Sequence, residues 1–72
     1  MSIEKIVAEV CGVDEGGITE ESGPKTIGEW DSMKHIHIIT MCEAEYNVSF
    51  GASEVPLLTS VAKIREVIEN KV

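Results

Sequence analysis

Cysteine is scarce in this 72-residue chain, basic residues number only six, and there is no long apolar run. Cys11 and Cys42 are too few for a disulfide scaffold, and both lie within apolar patterns. They read as small core or near-surface residues of a reducing compartment. No apolar stretch approaches membrane-spanning length and no charged-then-apolar leader opens the chain, so the expectation is a cytoplasmic protein without membrane insertion. Thirteen acids outnumber the bases for a net charge of -7, and seven of those acids precede Trp30. Such a surface repels nucleic acid and suits basic protein partners, although solubility alone would account for it as well. Internal repeats and low-complexity tracts are missing too. The length allows one domain, 1–72, with a modest core; it leaves no material to wall off a deep active site.

What is present reads as helix. Ile3, Ile6, Val7 and Val10 recur at helical spacing from about Ser2 to Cys11, with Ser2 as cap and Gly12 as stop. Residues 13–29 contain Gly16-Gly17, Ser22-Gly23-Pro24 and Gly28, the punctuation of a loop. A connection that long in a compact domain should be tacked down or functional, and Ile18 and Ile27 are the expected tacks. A second helix should run from Asp31-Ser32 to Tyr46 or Asn47, capped by Asp31 and buried along Met33, Ile36, Ile38 or Ile39, Cys42 and Tyr46. Val48 and Phe50 suggest an extended stretch ending at Gly51. Ser53 should cap a short helix through Leu58, with Pro56 in its first turn. Thr59 or Ser60 should then cap a last helix whose apolar face is Val61, Ile64, Val67 and Ile68. The expected fold is all-α: a small bundle of three principal helices plus one short helix, with a long first loop.

One stretch can carry chemistry. In Trp30-Asp31-Ser32-Met33 the serine stands just inside a helix start, where amides and dipole favour an attached or bound phosphate. Serine is common at that position, and spacing alone favours a plain helix-terminal residue. A nucleophilic role lacks support: no Gly-x-Ser-x-Gly elbow frames Ser32, and no triad can be assembled around it.

Trp30-Asp31-Ser32-Met33-x-His35 resembles the Asp-Ser-Leu motif of acyl carrier proteins, in the Trp-Asp-Ser-Leu-x-His form of specialised members. The likeness extends from Ile3 to about Ile68. It takes in the chain length, the long first loop, the spacing from Ser32 to Glu43–Tyr46, and Thr59-Ser60-Val61 opening the last helix. The resemblance implies that a phosphopantetheinyl transferase places 4'-phosphopantetheine from coenzyme A on Ser32, with Asp31 supporting the site. A thioester on the arm would then carry an acyl group, presented to acyl-activating or acyl-transferring enzymes of a specialised biosynthetic pathway, within fatty acid or polyketide biosynthesis. The chain itself would be a monomer and not an enzyme. An aminoacyl or peptidyl cargo and an unmodified helical adaptor are the alternatives.

Two departures stand out. Met33 replaces the motif's leucine, a volume-conserving change. The second helix also lacks the acidic stripe of fatty-acid carriers, offering Lys34, His35 and His37, with Glu43 and Glu45 only at its far end. Trp30, Met33, Lys34, His37 and Glu43 are the expected partner-docking residues, and general fatty-acid synthase service is in doubt. His35 and His37, two apart on a helix, diverge by about 200° and cannot share a metal. His35 should instead pair with Asp31 one turn before it, and Trp30 should staple back onto the following turn. The loop acids Asp14, Glu15, Glu20 and Glu21 read as solvated, without calcium-ligand spacing.

Overall fold

Ser2 starts the first helix, α1 (Ile3–Cys11), by accepting the Lys5 amide on its hydroxyl at 3.1 Å. In the computed structural model, which describes residues 1–71, Ile3, Ile6 and Val7 of this helix are buried beside Ala8 and Cys11. Gly12 ends α1 at φ 70, returning its amide to the Ala8 carbonyl. Glycine reaches that left-handed geometry without steric cost.

The long loop that follows is held by its own turns. A single 3-10 turn spans Glu15–Gly17, and a tight turn from Gly23 returns the Thr26 and Ile27 amides to the Gly23 carbonyl. Ile18 is buried and Ile27 half-buried against the core, as expected of the two tacks. The loop also does something the pattern did not announce. Its Ser22 and Glu20 carbonyls accept the Val61 and Ala62 amides, both at 2.9 Å, and so cap the start of the last helix. Gly23 lies flush against that junction: a Cβ there would stand 2.2 Å from the Thr59 carbonyl oxygen.

Helix α2 (Ser32–Tyr46) starts at Asp31 and stops at Asn47, which takes the left-handed conformation at φ 55. Its buried residues are Ile38, Ile39 and Cys42, with His35 and Tyr46 half-buried beside them. This corrects the expected stripe: Met33 and Ile36 are 83% and 55% exposed. Met33 and Cys42 are nine residues apart, about 180° around a helix, so they cannot share a face.

Beyond α2 the Phe50 amide bonds the Glu43 carboxylate at 2.8 Å, fixing the extended stretch. The short element is a 3-10 turn, Val55–Leu57, and Ser53 does not cap it; the preceding turn is closed by Glu54, whose carboxylate accepts the Gly51 amide at 2.7 Å. Ser60, not Thr59, caps α3 (Val61–Lys71) through the Lys63 amide at 3.2 Å. Val61, Ile64 and Ile68 are buried, and Val67 is half-buried. Arg65 on α3 pairs with both Glu4 on α1 and Glu20 in the loop, so Glu20 is not merely solvated. The architecture is an all-helical bundle of three helices with short 3-10 turns, with no strand among the described residues. None of its described helices is long and apolar enough to cross a membrane.

Candidate functional site

Ser32 is the first residue of α2 and is exposed. The helix begins there because Asp31 is extended, at φ -96 and ψ -177, and turns its carboxylate back onto the Lys34 amide at 2.9 Å. The His35 amide bonds the Asp31 carbonyl at 2.8 Å. Those two bonds leave the Ser32 and Met33 amides at the positive end of the helix, free of intrahelical partners. Among the described residues no hydrogen bond engages the Ser32 hydroxyl. The site therefore offers an accessible hydroxyl beside two amides suited to phosphate oxygens.

The residues around it are more constrained than the sequence suggested. Trp30 is only 2% exposed, so it offers partners almost no surface; that corrects its place among the docking residues. Nor is it a simple apolar staple. Its indole N–H donates to His35 Nδ1 at 2.9 Å, and His35 Nε2 lies 3.0 Å from the Val55 carbonyl oxygen. The indole can only donate and the carbonyl can only accept, so His35 is the neutral tautomer with its proton on Nε2. The expected pairing of His35 with Asp31 is replaced by this bridge, which ties α2 to the Val55–Leu57 turn. The signal that could have exposed it is the buried indole N–H, which requires an acceptor.

The same bridge removes one candidate base from the neighbourhood of Ser32. With both ring nitrogens engaged, His35 has no lone pair to offer as a base toward the hydroxyl. Asp31 engages one carboxylate oxygen in its cap. The groove beside Ser32, bordered by Pro24, Trp30, Pro56, Leu58 and Thr59, has a volume of about 270 Å³, below the usual range of ligand pockets.

Of the other docking residues, Met33 and His37 are exposed and Lys34 is half-buried. Glu43 is half-buried, with one carboxylate oxygen accepting the Phe50 amide. Glu45 pairs with the Met1 ammonium at 2.5 Å. No group of three or more His, Cys, Asp and Glu side chains among the described residues is arranged to hold a metal. Burial pushes both thiols up, Cys42 to about 11, so neither is a rival nucleophile near neutral pH.

The chain is similar to the holo acyl carrier protein of Geobacter metallireducens, solved in solution by NMR, with a TM-score of 0.83 and 26% identity over 96% of this chain and 79% of that one. The chain has the acyl carrier protein fold. The family resemblance carried by Trp30-Asp31-Ser32 thus holds for the architecture over 96% of the chain. No protein-family model matches the sequence.

Proposed function

We propose that this chain is a carrier protein, with the Ser32 hydroxyl as the attachment point of 4'-phosphopantetheine. One observation carries the reading: an exposed serine hydroxyl stands at a helix start beside two unpartnered amides, in an acyl carrier fold. The residues present fit the group. The phosphodiester would sit at the amides of Ser32 and Met33, and the Asp31 cap would keep them aimed. In the loading step the serine oxygen forms a bond to the phosphorus of the pantetheine phosphate. The bond from that phosphorus to the adenosine bisphosphate half of coenzyme A breaks, and a base on the transferase takes the serine proton. Once bound, the arm supplies a terminal thiol for thioester formation.

No enzymatic role fits Ser32 itself. A nucleophile needs a base and an enclosed pocket; the locked His35 and the shallow groove supply neither. The acyl-handling chemistry then belongs to partner enzymes. Their set is specialised in this reading, because α2 carries no carboxylate from Ser32 to Cys42.

The test is intact mass after incubation with coenzyme A, magnesium and a broad-specificity phosphopantetheinyl transferase. The chain should gain one phosphopantetheinyl group, and Ser32→Ala should gain none. Failure of the folded chain to load with several transferases would leave the adaptor reading in its place. Ligases for acyl and for amino-acid substrates, offered to the holo form, would then separate the two kinds of cargo.

A further inference from the structure

The groove beside Ser32 is apolar at its floor. Pro24, Pro56 and Thr59 border it, and Trp30 and Leu58 lie at its bottom, 2% and 0% exposed. His35 lines the same groove from α2. Trp30 and Leu58 belong to the core cluster, which continues behind them into Ile38, Cys42, Val61 and Ile64, all at 0% exposure.

An apolar chain entering the bundle from the Ser32 side would have to part α2 from the Val55–Leu57 turn. The Trp30–His35–Val55 bridge spans that gap, with one bond of 2.9 Å and one of 3.0 Å. An alkyl guest has no acceptor to offer the indole N–H and no donor to offer the Val55 carbonyl. Entry would therefore strand a buried donor that water at the surface cannot reach around the guest. A polar hinge closed by two hydrogen bonds resists an apolar wedge more than a purely apolar seam would, because the wedge can replace lost contacts but not lost bonds. With the hinge closed, the recess next to Ser32 stays at about 270 Å³.

Resting on the carrier reading above, we propose that Trp30 and His35 form a stop that keeps the cargo out of the bundle, so that this chain carries short or polar acyl groups. A long alkyl chain left in water keeps an unfavourable hydration that grows with each methylene. A short or polar acyl group has little such surface and needs no shelter. Trp30 and His35 thus select the cargo by exclusion and take no part in its chemistry.

The broad-specificity transferase can load the chain from butyryl-, octanoyl- and dodecanoyl-coenzyme A, which tests the stop directly. Each product is followed by its melting midpoint and by the amide chemical shifts of Ile38, Leu58 and Ile64. Wild-type midpoints should agree within about 2 °C across the series, and the three amides should keep their positions. Sheltering would instead raise the midpoint by roughly 3–6 °C for each methylene buried. His35→Ala removes the stop, and Trp30→Phe removes only the donor, which serves where the first variant does not fold. In the folded variant the dodecanoyl form should melt at least about 6 °C above the butyryl form, with the three amides displaced. A wild-type midpoint that climbs along the series, or variants as flat as wild type, would overturn the stop and leave the carrier reading intact. Folded wild type that gains no mass from coenzyme A itself would defeat the carrier reading, and this proposal with it.

Discussion

Removing the imidazole of His35 tests whether the Trp30–His35–Val55 bridge holds the site together. Trp30 is 2% exposed, so its indole N–H loses its partner when the acceptor 2.9 Å away is removed. A buried donor left without a partner costs about 1–3 kcal/mol. The Val55 carbonyl is only half-buried and can take a water in place of Nε2–H, so it adds little. A loss of about 2 kcal/mol in His35→Ala corresponds to a fall in melting midpoint of roughly 8–16 °C for a domain of this size. Size alone does not prove the mechanism, because His35→Ala also removes packing. The cycle with Trp30→Phe separates the two. Phenylalanine keeps a buried ring but has no donor, so in that background His35→Ala should cost less by about 0.5–1.5 kcal/mol. Urea unfolding followed by far-UV circular dichroism suits all four proteins, since it does not depend on the tryptophan. A coupling energy within about 0.3 kcal/mol of zero would refute the bridge as a stabilising element.

Gly23→Ala should destabilise by about 1–3 kcal/mol, measured by urea midpoint, because its Cβ would meet the Thr59 carbonyl oxygen at 2.2 Å where two backbones touch. The Cys42 thiol is held at about 11 against an ordinary 9.0, so the folded chain keeps a proton the unfolded chain gives up. Stability should therefore be full below about pH 9 and fall as pH rises from there toward 11, and Cys42→Ala should flatten the slope in unfolding scans. Arg65→Ala, which frees Glu4 and Glu20 together, should cost only about 0.5–1 kcal/mol and less in high salt, since all three side chains are partly exposed. Ile38→Ala, at 0% exposure, should cost about 2–5 kcal/mol, whereas Met33→Gln should stay within about 0.5 kcal/mol of wild type; a comparable loss in both would overturn the division of α2 into inner and outer faces.

The ends of the helices were legible because their signals are local. Ser2, Gly12 and Asp31 act through bonds to residues three or four away, and all three do what their side chains or backbone freedom dictate. The faces of α2 were less legible. Met33, Ile36, Ile39 and Cys42 follow one another at spacings of three, and each such step slips by about 60° around the helix. The stripe therefore winds from the solvent side to the core. The true inner face, His35, Ile38, Ile39, Cys42 and Tyr46, lies within about 100° of arc, but it opens on a histidine. A polar residue hid the start of the core face, while an apolar methionine marked the wrong one. Ser32 itself was legible only through its motif, since local chemistry gave it no more than a suitable position. The contacts of Trp30 and Glu43 depend on partners five and seven residues away, at Val55-bridged His35 and at Phe50, which no periodicity encodes.

In the proposed carrier role, a covalent arm on Ser32 needs a root that stays put while its far end moves. Every element meeting at Ser32 is fixed by bonds that spare the outer face of α2. The loop before it is fastened by the Trp30 amide to the Ile27 carbonyl and by its own carbonyls on α3. The Val55–Leu57 turn is fastened by His35, whose ring points inward from the helix. No carboxylate stands on α2 between Ser32 and Cys42, and Glu43 just beyond bonds the Phe50 amide. Rigidity at the root and an apolar, uncommitted surface beside it thus arise from the same set of contacts. The split of α2's hydrophobic residues between two faces, a defect in a helix that needed only a core, is what the proposed carrier role would ask of a helix that both packs and meets partners.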